Sequence, residues 1–258
     1  MANNERSREK RREERIAEES KAASGDRRTR LLQFAAGGVF LAVIIVVVVI
    51  VAVGGGGKSG GDAANIQHTA EVNKIVKGIP QEKLTLGKAT APTTLYMYGD
   101  LQCPICKEYV EEILPEIISS EVKTGKLKLT YRDFIIISEE SIPAGEAAYA
   151  AGEQGKGWSF IETFYRNQGE ERSGYVTEEF IESIAKAAGV PDMAKFNKER
   201  LSGKFKKDVE KTTTQASSTF GFEGTPSFAV EGPNSKGIEL IGTPQTQEAL
   251  EERIEKAS

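Results

Sequence analysis

The chain has 258 residues, 39% of them hydrophobic, enough for a substantial core together with appendages. A net charge of −4 argues against nucleic-acid binding, because a phosphate-neutralising surface needs an excess of Lys and Arg. Two Cys and one His cannot form a four-ligand zinc site without carboxylates, so no metal is expected. The lone His68 lies in a polar stretch, which argues against a Ser–His or Cys–His pair. The two cysteines become the focus.

Residues 1–30 carry ten Lys/Arg against seven Asp/Glu and almost no large apolar side chain. They read as a charged cytoplasmic tail, either disordered or a solvated single helix. Residues 31–53 are apolar except Gln33, Gly37 and Gly38, and no charge occurs between Arg30 and Lys58. As a helix this run spans about 34 Å against a hydrocarbon core of about 30 Å, so a single transmembrane helix is expected. Arg27, Arg28 and Arg30 precede it and only Lys58 follows closely, which puts the N-terminus in the cytoplasm and the remainder outside. A cleaved signal peptide is the competing reading; its apolar core would be shorter, and no clean A-x-A site follows. Residues 54–77 begin with Gly54-Gly55-Gly56-Gly57-Lys58-Ser59-Gly60-Gly61 and read as a flexible linker. The stretch mimics a phosphate loop, but such a loop needs a preceding sheet strand and a following helix, so it reads as a spacer.

From residue 78 the texture becomes globular. Residues 93–98 read as a β-strand, 104–122 as a helix kinked at Pro115, and 126–132 as an alternating strand. A β-α-β unit of this kind makes its two strands parallel. A helical block follows. Thr177 caps a helix bearing Phe180, Ile181, Ile184 and Ala185, Pro191 opens another with Met193 and Phe196, and 204–218 carries Phe205, Val209 and Ala216 at helical spacing. Strands are expected over 227–230 and 238–241, then a last helix capped by Thr243 with Pro244 in its first turn.

Cys103-Pro104-Ile105-Cys106 sits where the first strand ends and the helix begins. A helix N-terminus offers free N–H groups and a positive dipole end to Cys103, which lowers a thiol pKa. Pro104 is tolerated in a first turn, where its missing N–H costs nothing. This context favours a redox pair: Cys103 exchanges with the substrate thiol and Cys106 resolves the mixed disulfide. A purely structural bridge closing so short a loop would add little stability, and no other residues have zinc-ligand spacing.

Further motifs line up in order: Leu84-Thr85-Leu86-Gly87, Ala91-Pro92, Gly99-Asp100-Leu101-Gln102 before the cysteines, Tyr131-Arg132-Asp133-Phe134, and Gly224-Thr225-Pro226-Ser227-Phe228. Together they resemble the DsbA-like thiol-disulfide oxidoreductases, in particular the membrane-anchored members of Gram-positive bacteria, over residues 78–258. The resemblance implies an α/β thioredoxin fold with an all-helical insertion at about 140–220. It implies a cis Pro226 against the cysteine pair, where the loop blocks metal capture and guides a substrate strand, and a Thr225 backbone that bonds a substrate peptide. Pro104, Ile105, Thr225 and Pro226 therefore join Cys103 and Cys106 as site residues.

Two departures matter. The archetypal oxidase has His where this chain has Ile105, and a buried acid six residues before its first Cys where this chain has Met97. Asp100 is nearer, and its charge would raise the Cys103 pKa. A less extreme oxidant is expected. Trp158, Phe160, Phe164 and Tyr165 read as the core of the insertion in preference to a peptide groove, and Lys107 as a solvated side chain. The expected function is oxidation of cysteine pairs in secreted or membrane proteins, by a monomer without a cofactor and with a membrane partner to reoxidise it. The alternatives are a reductase or isomerase kept reduced by a membrane carrier, and a non-catalytic binding module.

Overall fold

Strand β3 (Thr93–Gly99) is rich in β-branched and aromatic residues and lies between two neighbours, so every residue but Tyr96 is buried. The structure is a computed structural model that describes residues 65–258, Gln245 excepted. The charged tail 1–30, the expected span 31–53 and the linker up to residue 64 lie outside the described residues. Among the described residues no helix is long and apolar enough to cross a membrane.

The described residues form a six-stranded sheet flanked by helices. Helix α1 (Thr69–Val76) leads to a short hairpin of β1 (Gln81–Glu82) and β2 (Thr85–Leu86). After β3 comes α2 (104–122), then β4 (Leu127–Asp133). Five helices follow: α3 (Ser141–Gly152), α4 (Gly157–Arg166), α5 (Glu178–Ala187), α6 (Met193–Arg200) and α7 (Lys206–Thr214), the last running into a π-helical turn (Gln215–Thr219). The chain closes with β5 (Ser227–Glu231), β6 (Glu239–Gly242) and α8 (Gln247–Ala257). The strand order is β1-β2-β4-β3-β5-β6. β3 and β4 are parallel, in register from Thr93 opposite Leu127 to Gly99 opposite Asp133, as the β-α-β pattern requires. β5 runs antiparallel to β3 and sets Ser227 opposite Tyr98, which delivers residues 225–226 to the end of β3 where α2 begins.

Alternation sorts the sheet's two faces. Leu95, Met97, Leu129 and Tyr131 join the main core beneath α2, while Tyr98 packs on the other face with Phe220 and Phe222, ring centroids 5.8 and 5.4 Å away. Trp158, Phe160, Phe164 and Tyr165 are fully buried and form the core of the insertion. Trp158 Nε1 donates to the Leu84 carbonyl at 2.8 Å, tying α4 to the β1–β2 hairpin.

Several local expectations shift. Around Pro115, the expected kink position, α2 is not regular α-helix: it widens to π turns at Tyr109–Ile113 and Ile118–Val122, so that Leu114 N reaches Tyr109 O. Pro115 cannot donate to a carbonyl behind it, and the wider register absorbs that mismatch. Thr177 caps α5 as expected, accepting from Phe180 N at 3.1 Å. For α6 the cap is Asp192, accepting from Lys195 N, with Pro191 one residue outside. For α8 the cap is Thr246, accepting from Ala249 N at 3.2 Å, not Thr243. The flexible stretch expected over 54–77 is too long: residues 69–76 are helical, with Val72 and Val76 four apart on a buried face and Glu71 paired to Arg166 at 2.8 Å.

Candidate active site

At the end of β3 the chain turns sharply. A Cβ on Gly99 would stand 3.0 Å from both Tyr131 Cε2 and Tyr165 Oη, so glycine gives these rings room to close over the strand end. Asp100 then organises the turn: its backbone carbonyl accepts from Cys103 N at 2.9 Å, and its Oδ1 from Gln102 N at 2.9 Å. Its Oδ2 accepts from Ile136 N and Ile137 N, both at 2.9 Å, which fastens the loop after β4 to the same carboxylate. Gln102, fully buried, donates to Ser138 Oγ and Ser141 Oγ and accepts from Arg172 N.

Cys103 is the N-cap of α2, with Pro104 first inside, and its Sγ accepts from Cys106 N at 3.3 Å. The sulfur also lies 3.4 Å from the Thr225 carbonyl, to which the thiol donates. The Thr225–Pro226 bond is cis. Its loop is braced on both sides: Ser227 Oγ donates to Gly224 O at 2.7 Å, and Thr243 Oγ1 donates to Pro226 O. The structure thus brings together all six residues singled out in the sequence: Cys103, Pro104, Ile105, Cys106, Thr225 and Pro226.

Both cysteines are free thiols, Cys103 4% exposed and Cys106 fully buried. Their acidities are pushed apart. Cys103 is lowered to about 7, first by the Cys106 thiol donating to it, against the cost of burial, with help from the Thr225 side chain and the amides of Cys106 and Ile105. Cys106 is pushed well above the ordinary thiol range by burial and by the negative charge of Cys103. Asp100 was expected to raise Cys103; its carboxylate is taken up by three loop amides instead, and the sulfur's own donors prevail.

Around this pair, Ile105 is 45% exposed and Ile136, on the loop held by Asp100, is 41% exposed. Met97 is fully buried, as its strand position requires. Below the site, Tyr131 Oη and Tyr165 Oη are 3.2 Å apart, and Tyr165 donates to Asp100 O at 3.0 Å. Asp133, opposite Gly99, is fully buried with neither carboxylate oxygen hydrogen-bonded, and burial followed by the charge of Asp100 raises it to about 7. His68 lies apart from this constellation, paired with Glu71 at the start of α1, and the Lys107 side chain makes no hydrogen bond or ion pair among the described residues. No cluster of three or more His, Cys, Asp or Glu among the described residues is arranged to hold a metal. Sequence reading missed Gln168, the bracing roles of Gln102 and Thr243, and the burial of Asp133. The last had a signal: extending the alternation of 126–132 by one residue puts Asp133 inward with Leu127, Leu129 and Tyr131.

Chemically, a thiol of lowered pKa at a helix N-terminus, stacked on a buried thiol of raised pKa, is built for thiol–disulfide exchange. A family model described as thioredoxin matches residues 80–256. The chain is 31% identical over 153 residues to the probable disulfide bond formation protein D of Bacillus anthracis, covering 57% of this chain and 69% of that one. It is 28% identical over 194 residues to disulfide bond formation protein D of Bacillus subtilis, covering 73% and 83%. Among solved structures, oxidised BdbD from Bacillus subtilis superposes with a TM-score of 0.60 at 22% identity, over 69% of this chain and 97% of that one. Wolbachia pipientis alpha-DsbA1 superposes with a TM-score of 0.57 at 19% identity, over 72% and 95%. Fold, paired sulfurs and relatives agree: the chain belongs to the thioredoxin family and, within it, to the DsbA-like thiol-disulfide oxidoreductases.

Proposed function

We propose that this oxidoreductase donates its Cys103/Cys106 disulfide to cysteine pairs of proteins folding outside the cytoplasmic membrane, to which residues 31–53 tether it. A substrate thiolate attacks Cys103 Sγ, the Cys103/Cys106 bond breaks, and Cys106 leaves as a thiolate that takes up a proton. The second substrate thiolate then attacks its partner sulfur in the mixed disulfide and expels Cys103 as a thiolate. The substrate loses two electrons, the pair gains them, and a membrane redox partner removes them again. The observation that carries this reading is the asymmetry of the two sulfurs. Cys103, the better leaving group, sits at the helix N-terminus beside the Thr225–Pro226 loop, and Cys106 lies buried behind it. The exposed Ile105 and Ile136 suit an unfolded, apolar substrate segment in place of a folded surface.

A Cys103 pKa of about 7 matches thioredoxin's more than the much lower value of DsbA, which favours a moderate oxidant and keeps the reductase or isomerase reading in play. The test is the reduction potential of the pair, titrated against glutathione. A value above about −200 mV, yet below the roughly −120 mV of DsbA, is expected; one near thioredoxin's roughly −270 mV makes the chain a reductase. Full activity retained in Cys103→Ser would reduce the chain to a binding module.

A further inference from the structure

Gln168 belongs to the helical insertion, two residues past the end of α4, yet its side chain reaches the active-site loop. Its Nε2 donates to Leu101 O at 2.7 Å and to Cys103 O at 3.1 Å. The Leu101 residue is buried, so this amide supplies a donor where water does not. The Cys103 carbonyl shares its acceptance with Lys107 N at 3.2 Å, the first full turn of α2. Gln168 is itself held firmly. Its N–H donates to Tyr165 O at 3.1 Å, and the preceding Asn167 clamps residue 67, accepting from its N–H at 2.8 Å and donating to its carbonyl at 3.1 Å. A second amide crosses the same boundary the other way, since Gln102 runs from the loop to Ser138, Ser141 and Arg172.

We propose that Gln168 is a positioning residue for the exchange reaction: by pinning the carbonyls of Leu101 and Cys103 it fixes the loop so that the Cys103 sulfur stays on its donors. The sulfur's acidity depends on donors with strict geometry, the Cys106 thiol and the amides of Cys106 and Ile105. Each of them is lost if the N-cap residue rotates. The ionisable groups facing Cys103 are Cys106 beneath it and Tyr165 on α4, with Tyr131 on β4 behind, all raised and therefore neutral near pH 7. No charged side chain substitutes for the lost donors. The helical insertion thus tunes the redox pair through one amide, a role that rests on Cys103 being the exchanging sulfur.

The test compares wild type, Gln168→Met, which keeps the reach without the donor, and Gln168→Glu, which keeps the shape but turns acceptors toward two carbonyls. In the full-length reduced chain, the rate of iodoacetamide alkylation is followed from pH 5 to 9 with the modified cysteine identified by mass. For Gln168→Met the rate at pH 6 is expected to fall about three- to tenfold, the plateau at high pH staying unchanged, and more for Gln168→Glu. The glutathione equilibrium shifts toward the disulfide by a comparable factor, because the reduced form loses thiolate stabilisation. Position 168 is only partly buried, which favours folding of both variants; if Gln168→Met fails to fold, Gln168→Asn, one methylene too short, replaces it. Profiles and equilibria within twofold of wild type overturn the proposal, even if melting temperature falls, since that is a purely structural role. Alkylation of Cys106 ahead of Cys103 in wild type overturns the assignment of the exchanging sulfur, and the positioning role with it.

Discussion

β3 and β4 end side by side, Gly99 opposite Asp133, and the two ends handle buried negative charge in opposite ways. Beyond β3, the Asp100 carboxylate receives three loop amides, and the Cys103 sulfur receives the Cys106 thiol and helix N–H groups, which lower it to about 7. At the end of β4, the Asp133 carboxylate is just as buried but receives nothing, and rises to about 7. Helix α3 seals that end: a Cβ on Gly145 would lie 2.6 Å from Asp133 Oδ1, so even the smallest side chain fits poorly there. Burial alone would push both groups toward their neutral forms. The supply of donors decides the sign, and it is plentiful where chemistry takes place.

The strongest way to break this contrast is to remove the acceptor that organises the β3 end. Asp100→Ala leaves three amides without their partner, the buried one of Gln102 and the part-buried ones of Ile136 and Ile137. A loss of about 3–5 kcal/mol in urea unfolding is expected, since a hydrogen bond to a carboxylate contributes roughly 1.5–3 kcal/mol when buried and less where it is partly exposed. A loss below about 1 kcal/mol would mean that the loop re-pairs on its own and that Asp100 is not its organiser.

Asp133 gives the complementary experiment. Its folded pKa lies above its unfolded value, so the folded protein binds the proton more tightly than the unfolded chain. Below about pH 4 both states are protonated and the penalty is absent. As pH rises toward 7 the unfolded chain ionises first and stability falls; above about 7 the loss is complete. Asp133→Asn should flatten this slope, making the variant about 2–4 kcal/mol less pH-dependent between pH 4 and 8 than wild type. Cys103 has the opposite sign in the reduced protein. Its folded pKa lies below the unfolded one, so its contribution appears as pH rises through about 7 and is complete above about 9. Equal pH slopes in wild type and Asp133→Asn would show that the β4 end finds donors after all.

Ile105→His adds a donor where the β3 end lacks one. The exposed position tolerates the imidazole, and His held beside the sulfur favours its thiolate. The alkylation midpoint of Cys103 should fall by about one pH unit, a tenfold effect equal to about 1.4 kcal/mol. An unmoved midpoint would mean that the sulfur's existing donors already saturate it.

How much of this was legible in the sequence depends on how local each feature is. The strand–Cys103-Pro104-Ile105-Cys106–helix junction is contiguous, so periodicity and spacing found it, and the resemblance supplied the Thr225–Pro226 loop that faces it. The cap at Thr177 was readable for the same reason. The bracing of the site was not. Gln102 reaches Ser138, Asp100 reaches Ile136, and Gln168 reaches Leu101, each a side-chain bond across 36 to 67 residues of chain that no periodic pattern marks. Helix α1 escaped because its eight residues bury only Val72 and Val76 and follow a glycine-rich run that dominates the local composition.

The smallest expected effect separates two threonines that look alike in sequence. Thr243-Pro244 has the pattern of a cap followed by a first-turn proline, yet the α8 cap is Thr246, and Thr243 donates to the Pro226 carbonyl beside the redox pair. The difference arises because β5 and β6 pair antiparallel, Phe228 opposite Gly242, which brings residue 243 beside 226 before α8 begins. Thr246→Ala should therefore cost about 1 kcal/mol in stability, as an exposed cap does, and leave the glutathione equilibrium untouched. Thr243→Val removes one hydroxyl donor from the loop that faces Cys103, and a shift of about two- to threefold in that equilibrium is expected, the size of one modest hydrogen bond. If both variants lose stability alike and neither moves the equilibrium, the donor supply that sets the chemistry ends with the loop and helix turn of residues 100–106, and the Pro226 loop supplies shape alone.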